Sequence, residues 1–153
     1  TGFNLAHTYN ANPITCAGAC AVLDELVERD LIAGAARLGA HLRQRLDALH
    51  ARSPIVGDVR GKGMLCAVEI VADKATGSML PAELAAADRI RQIGMEEGLL
   101  IYMRRTNGGR FGEWFMVAPP LIITQSQIDD MMDRLQRTLD RYAGEARKAG
   151  AIR

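Results

Sequence analysis

Two stretches concentrate the residues able to do chemistry. The first, "AHTYNANPITC" over residues 6–16, sets His7, Thr8, Tyr9, Asn10 and Asn12 in a polar loop that runs through Pro13 into an alanine-rich segment. Thr8 offers an anion a hydroxyl and a backbone amide; His7 can orient a bound group, although a lone histidine is more often structural. The second, "YMRRTNGGRFGEW" over residues 102–114, carries Arg104, Arg105 and Arg110 among glycines. Guanidinium groups hold carboxylates or phosphates through paired hydrogen bonds. The same arginines would equally keep a hairpin loop solvated, and the residues alone leave the two readings level.

Other candidates carry less. "RGKG" over 60–63 has phosphate-loop glycines, but a phosphate loop needs Gly-Lys-Ser/Thr opening a helix, and here Gly63 and then a β-type run follow Lys62. A tight hairpin is the expectation. Lys62, Lys74 and Lys148 are the only lysines; a reactive amine must be buried enough to lower its pKa, and all three fall in predicted loops or a tail. Cys16, Cys20 and Cys66 are too few for a disulfide framework, and His7, His41 and His50 do not stand at zinc spacing from them. No metal site is expected, and the cysteines read as buried small hydrophobes. His41 and His50, among helical leucines and arginines, read as helix-surface residues. No nucleophile triad or carboxylate pair is indicated by spacing, so no catalytic residue is assigned.

These loops need elements to hold them. Pro13 suits the first turn of a helix, with Cys16, Cys20, Leu23 and Val27 recurring at helical spacing. A second helix follows on Leu31, Ala35, Leu38, Leu42, Leu46 and Leu49, meeting the first near Arg29–Leu31 and ending at Ser53-Pro54. Residues 55–60 and 64–71 then read as an antiparallel pair joined at Gly61–Gly63. Pro81 opens a third helix through Glu97, with Ala86, Ile90 and Ile93 on one stripe and Gly98 as its stop. Residues 99–102 and 114–117 read as strands flanking the basic loop. Thr124, with Gln127 three residues on, forms a capping box for a last helix on Ile128, Met131, Leu135, Leu139 and Tyr142. The remainder, "AGEARKAGAIR", is expected to fray. The order predicts an α+β fold, an α/β sandwich with a small antiparallel or mixed sheet of about four strands and helices packed on it.

Composition fits that reading. A chain of 153 residues, 48% hydrophobic and 24% charged, is one domain's worth of soluble globular protein. A formal charge of +1 gives no general pull toward nucleic acid or anionic lipid. No apolar run reaches membrane-span length and no signal-peptide zones head the chain, so a cytoplasmic protein is expected.

Four motifs in order, "HTYNANPITCAGACAVLDELVERDL", "VRGKGMLCAVEIV", "EEGLLIY" and "APPLIITQSQIDDMMDRL", resemble the C-terminal part of class III, or omega, pyridoxal-phosphate aminotransferases of fold type I. The resemblance runs from about Phe3 to Tyr142. It implies that residues 1–30 are an interface loop and a helix leading from a large cofactor domain, that 31–143 are the small C-terminal domain, and that 144–153 are a tail. It implies a homodimer in which Thr8, with His7 beside it, reaches the cofactor phosphate of the neighbouring subunit. It implies further that an arginine ahead of "PP" pairs with the substrate carboxylate. The loop here is longer than the family's, so Arg110, then Arg105, then Arg104 are candidates in that order.

The family's Schiff-base lysine lies upstream of the threonine loop. The resemblance therefore implies a C-terminal piece of an aminotransferase that moves an amino group between an amine or amino-acid donor and a keto-acid acceptor, the piece alone being inactive. Sister activities (racemase, aminomutase, decarboxylase) and a non-catalytic small-molecule or protein-binding module are the alternatives. Small residues on the first helix, Ala17, Gly18 and Ala21, suit close helix contact, and self-association is expected.

Overall fold

A computed structural model describes residues 7–110 and 112–152 of the chain. Ala6 of the polar loop, Phe3 of the family resemblance and Phe111 of the basic loop lie outside the described residues. The elements in order are α1 (Pro13–Glu28), α2 (Leu31–Arg52), β1 (Val56–Lys62), β2 (Leu65–Ile70), α3 (Ala86–Glu96), β3 (Tyr102–Arg105), β4 (Glu113–Val117) and α4 (Gln125–Lys148). The four strands form one antiparallel sheet in the order β1-β2-β4-β3. This is the α+β small domain expected from the sequence.

Alternation along the strands divides the sheet into two faces. Val59, Cys66, Val68, Phe115 and Val117 point one way and are buried. Leu42, Leu46, Ile90, Ile93, Ile128, Met132, Leu135 and Leu139 from the helices close over them in one continuous core. α2 lies against β1, α3 against β3 and β4, and α4 packs on both helices. The opposite face is built from Leu65, Ala67, Glu69, Trp114, Met116, Tyr102 and Arg104, paired across the ladders, and no helix among the described residues covers it.

The "RGKG" glycines are structural. A Cβ on Gly61, whose φ is +133°, would meet the Leu65 carbonyl at 2.2 Å. Gly63 turns the hairpin at φ +58°, and a Cβ on Gly39 of α2 would come within 2.5 Å of its Cα. The hairpin tip and helix α2 thus meet backbone to backbone, which leaves no room there for a phosphate.

Local capping follows the sequence closely at most ends. Asn12 Oδ1 accepts from the amides of Ile14 and Thr15 ahead of Pro13, and Thr124 and Gln127 form a reciprocal capping box on α4. Gly98, at φ +74°, ends α3 with the Leu99 amide reaching back to the Gly94 carbonyl at 2.7 Å. Pro81 does not open α3: it leads a single 3-10 turn over Ala82–Leu84, Ala85 then takes φ 44°, and the α-helix begins at Ala86.

Four further expectations are corrected. The segment after Tyr142 does not fray, because Ala143 and Ala146 continue the buried stripe of α4 and Ile152 folds onto the core. Cys16 and Cys20 are exposed, only Cys66 being buried, since none of α1 is buried by the rest of the described chain. His41 and His50 are half-buried rather than surface residues. His41 Nε2 lies 2.8 Å from the Asp129 carboxylate of α4, which also takes Arg45, and His50 Nε2 lies 3.2 Å from the Gly57 carbonyl. The strand expected at 99–102 is displaced to 102–105, which moves Arg104 and Arg105 out of the loop.

Candidate functional site

The first candidate site is a turn. The Asn10 amide donates to the His7 carbonyl at 2.9 Å and the Tyr9 amide to His7 Nδ1 at 3.2 Å, with the two rings 5.6 Å apart. Ala11 at φ 57° and the Asn12 amide, donating to the Tyr9 carbonyl at 3.2 Å, turn the chain into α1. Thr8 sits inside this double turn and is exposed. His7 shapes the turn through its carbonyl and its ring nitrogen, and Thr8, Tyr9 and Asn10 are exposed on it.

The second is the outer end of the β3–β4 ladder. Arg104 pairs with Trp114 and Arg105 with Glu113, so adjacent arginines leave the strand on opposite faces. Arg104, on the uncovered face, donates to the Tyr102 hydroxyl at 3.2 Å and lies 5.8 Å from that ring's centroid. Arg105, on the helix face, has its Nε 3.5 Å from Glu113 Oε1. A 3-10 turn, Thr106–Gly109, connects the strands, with Trp114 Nε1 donating to Thr106 Oγ1 at 2.8 Å. Gly109, at φ +93°, lets the Arg105 guanidinium cross it, since a Cβ there would come within 2.8 Å of Arg105 Nε. Arg110 follows this turn on the surface.

Burial pushes the Glu113 carboxyl up, against the pull of Arg105 and of the Ala87 backbone amide at the start of α3. The Tyr142 phenol is pushed up to about 12, first by burial and then by the charges of Glu113 and Glu145. Sequence reasoning missed Glu113, the ladder partner of Arg105. The signal was the ladder register, which is readable only once β3 is placed at 102–105.

His7, Tyr9 and Asn12 hydrogen-bond within the turn and to the start of α1. The described hydrogen bonds and ion pairs of Arg104 and Arg105 stay on the sheet. Among the described residues, no group of three or more His, Cys, Asp or Glu could hold a metal ion and no helix is long and apolar enough to cross a membrane.

Comparison with known proteins gives both sites a frame. The family described as Aminotransferase class-III matches residues 2–139. An uncharacterized aminotransferase of Schizosaccharomyces pombe is 38% identical over 134 residues, covering 86% of this chain and 29% of that protein. A leucine/methionine racemase of Thermococcus litoralis is 31% identical, covering 88% of this chain and 28% of its own length. Among solved structures, a PLP-bound amine transaminase from an uncultivated Pseudomonas species superposes with a TM-score of 0.76 at 33% identity, over 90% of this chain and 29% of that one. The chain thus spans a little under a third of the proteins it matches. With the family match covering almost every element from α1 through the body of α4, and the fold superposing on a solved transaminase, this chain belongs to the class-III aminotransferases.

Proposed function

We propose that this chain is the C-terminal part of a pyridoxal-phosphate-dependent aminotransferase that moves an amino group between an amine or amino acid and a keto acid. The family match over residues 2–139 carries the reading. Its domain division follows: 1–30 as interface loop and connecting helix, 31–143 as the small domain, 144–153 as its end.

The residues present fit part of a cofactor site. Thr8, exposed on its turn, is a donor of the right kind for a phosphate oxygen, with His7 shaping the turn. The lysines do not fit a Schiff base. Lys74 Nζ donates to the carbonyls of His50 and Ser53, closing the C-terminus of α2, while Lys62 and Lys148 are exposed, with nothing to desolvate the ammonium. Pyridoxal phosphate, when bound, supplies the electron sink for the amino-group transfer. This chain supplies a hydroxyl to its phosphate from across a homodimer interface, and an arginine to the substrate carboxylate. The displacement of β3 puts Arg105 and Arg104 on a rigid strand and favours them over Arg110, since strands hold a site more precisely than loops. Three unpaired cysteines support a reducing, cytoplasmic setting.

The test uses the full-length enzyme carrying this segment. It is expected to transaminate, and Thr8→Val to weaken pyridoxal-phosphate binding by roughly tenfold, the scale of one charge-assisted hydrogen bond, with the polypeptide of residues 1–153 forming no lysine adduct. A stoichiometric adduct lost in Lys62→Ala would overturn the reading. The racemase among the relatives favours one alternative: an enzyme that inverts an amino acid's α-carbon without needing a keto acid. Chiral analysis of a single amino acid incubated alone separates the two.

A further inference from the structure

The two arginines of β3 differ in what stands beside them. Arg105, on the helix face, has Glu113 within 3.5 Å. Arg104, on the uncovered face, is exposed, and its described contacts are the Tyr102 hydroxyl and the Tyr102 ring. Glu69, which this face presents across the β2–β4 ladder from Trp114, is held by Arg60 at 3.0 Å. Among the described residues, Arg104 therefore has no carboxylate within ion-pair distance, and its fork of N–H groups is open to a planar anion.

Trp114 stands directly across the β3–β4 ladder from Arg104. Thr106, two residues beyond Arg104, lies on the diagonal, a position an aromatic side chain can reach, and its Oγ1 accepts from Trp114 Nε1 at 2.8 Å. An indole has a single polar donor, so this one bond fixes which way the ring lies. Trp114 is half-buried although no described helix covers its face, as a ring laid along its own sheet would be. Arg104 is thus bordered by two aromatic side chains, Tyr102 along the strand and Trp114 across it, the second of them pinned.

Resting on the aminotransferase reading above, we propose that Trp114 is a specificity-determining residue that favours α-amino acids with an aromatic side chain, and that Thr106 is the residue positioning it. The carboxylate of the amino acid pairs with Arg104, the strand arginine that has no acid beside it. The ring of its side chain packs on the fixed indole, an aromatic pair that adds to simple area burial. A methyl side chain makes no such pair. An indole freed from Thr106 can turn away, so part of the preference resides in a hydroxyl that touches no substrate.

The test compares L-phenylalanine with L-alanine as amino donors for the full-length holoenzyme, and 3-phenylpropionate with propionate in calorimetric titration, a readout apart from turnover. Trp114→Leu is expected to lower the phenylalanine-to-alanine ratio of kcat/KM, and the affinity ratio of the two acids, about fivefold, the scale of one aromatic pair. The change should fall on KM rather than kcat. Thr106→Val keeps the shape of the side chain and removes the acceptor; it should lower both ratios about twofold, the low end for one hydrogen bond. Thr106→Ser, which keeps the acceptor, should restore them. Arg104→Gln should weaken all four ligands alike. Ratios unmoved in Trp114→Leu, a Thr106→Ser that behaves as Thr106→Val, or an Arg104→Gln that spares every ligand overturns the proposal and leaves the aminotransferase reading standing. A wild-type enzyme that takes an amino group from neither donor and binds neither acid overturns both.

Discussion

Thr8, Arg105 and Tyr142 owe their properties to neighbours that local spacing does not reveal. Thr8 stands out in the sequence for a hydroxyl and a backbone amide in a polar loop, and the structure shows that loop as a turn built on the His7 carbonyl and ring. Arg105 was legible only as one of three cations, because its distinction lies in pairing with Glu113 across a ladder. Tyr142 reads from spacing as one more apolar residue of a helical stripe, but its hydroxyl is buried with it and has no hydrogen-bond partner among the described residues. The folded phenol has its pKa raised to about 12 from an unfolded value of about 10. The neutral form is thus favoured by folding: this stabilisation is fully present below pH 10 and is lost as pH rises through about 12, amounting to roughly 2–3 kcal/mol over that interval. Urea midpoints measured from pH 9 to 12 should fall for the wild type. Tyr142→Phe should flatten that fall, and an equally steep fall in the variant would place the alkaline sensitivity elsewhere. Acid acts with the opposite sign at Glu97, whose carboxyl is held low by Arg141 and Arg137, and at Glu145, held low by Arg89. Their contributions are present above the ordinary glutamate range and fade as pH drops below it.

Among the elements, helices were far more legible than strands. A helix announces itself through a 3.6-residue stripe and its caps, so α2 and α4, with the Ser53-Pro54 stop and the Thr124–Gln127 box, fall where the residues put them. β3 has only four residues, and "LLIY" ahead of it is the more strand-like stretch. Pairing with β4, not propensity, decides its position, a case of tertiary context overriding local preference. A backbone-to-backbone approach between elements is also invisible in local pattern: Gly39 of α2 against Gly63 of the β1–β2 hairpin. Gly39→Ala should cost about 1–3 kcal/mol, the usual penalty for overpacking, because the atoms it meets are backbone and cannot swing away. By contrast Gly18→Ala on α1, where a Cβ meets nothing within 4 Å, should be neutral or raise stability by a few tenths of a kcal/mol through helix propensity. Chemical denaturation of the two variants side by side tests the pair, and equal effects would contradict the packing described.

At the scale of the whole molecule, the described residues leave two apolar surfaces uncovered. α1 buries none of its residues, with Ile14 84% and Val27 77% exposed beside Val22 and Leu23. The uncovered sheet face presents Leu65, Tyr102, Trp114 and Met116 in adjacent register positions. Apolar surface of this extent is uncommon on a monomer, and in proteins about three times this chain's length, as its relatives are, further chain is available to shield it. The polypeptide of residues 1–153 should therefore fold its α+β core and self-associate through α1, since a helix with exposed Val and Leu beside Ala17, Gly18 and Ala21 packs readily against a copy of itself. Sedimentation velocity over a concentration series is expected to show a dimer or larger species. Leu23→Glu with Val27→Asp should return it to a monomer with unchanged far-ultraviolet circular dichroism. A wild-type polypeptide that stays monomeric at high concentration would mean that α1 folds back onto the uncovered sheet face in solution, and fluorescence of the single Trp114, which stands on that face, would then change in the double variant.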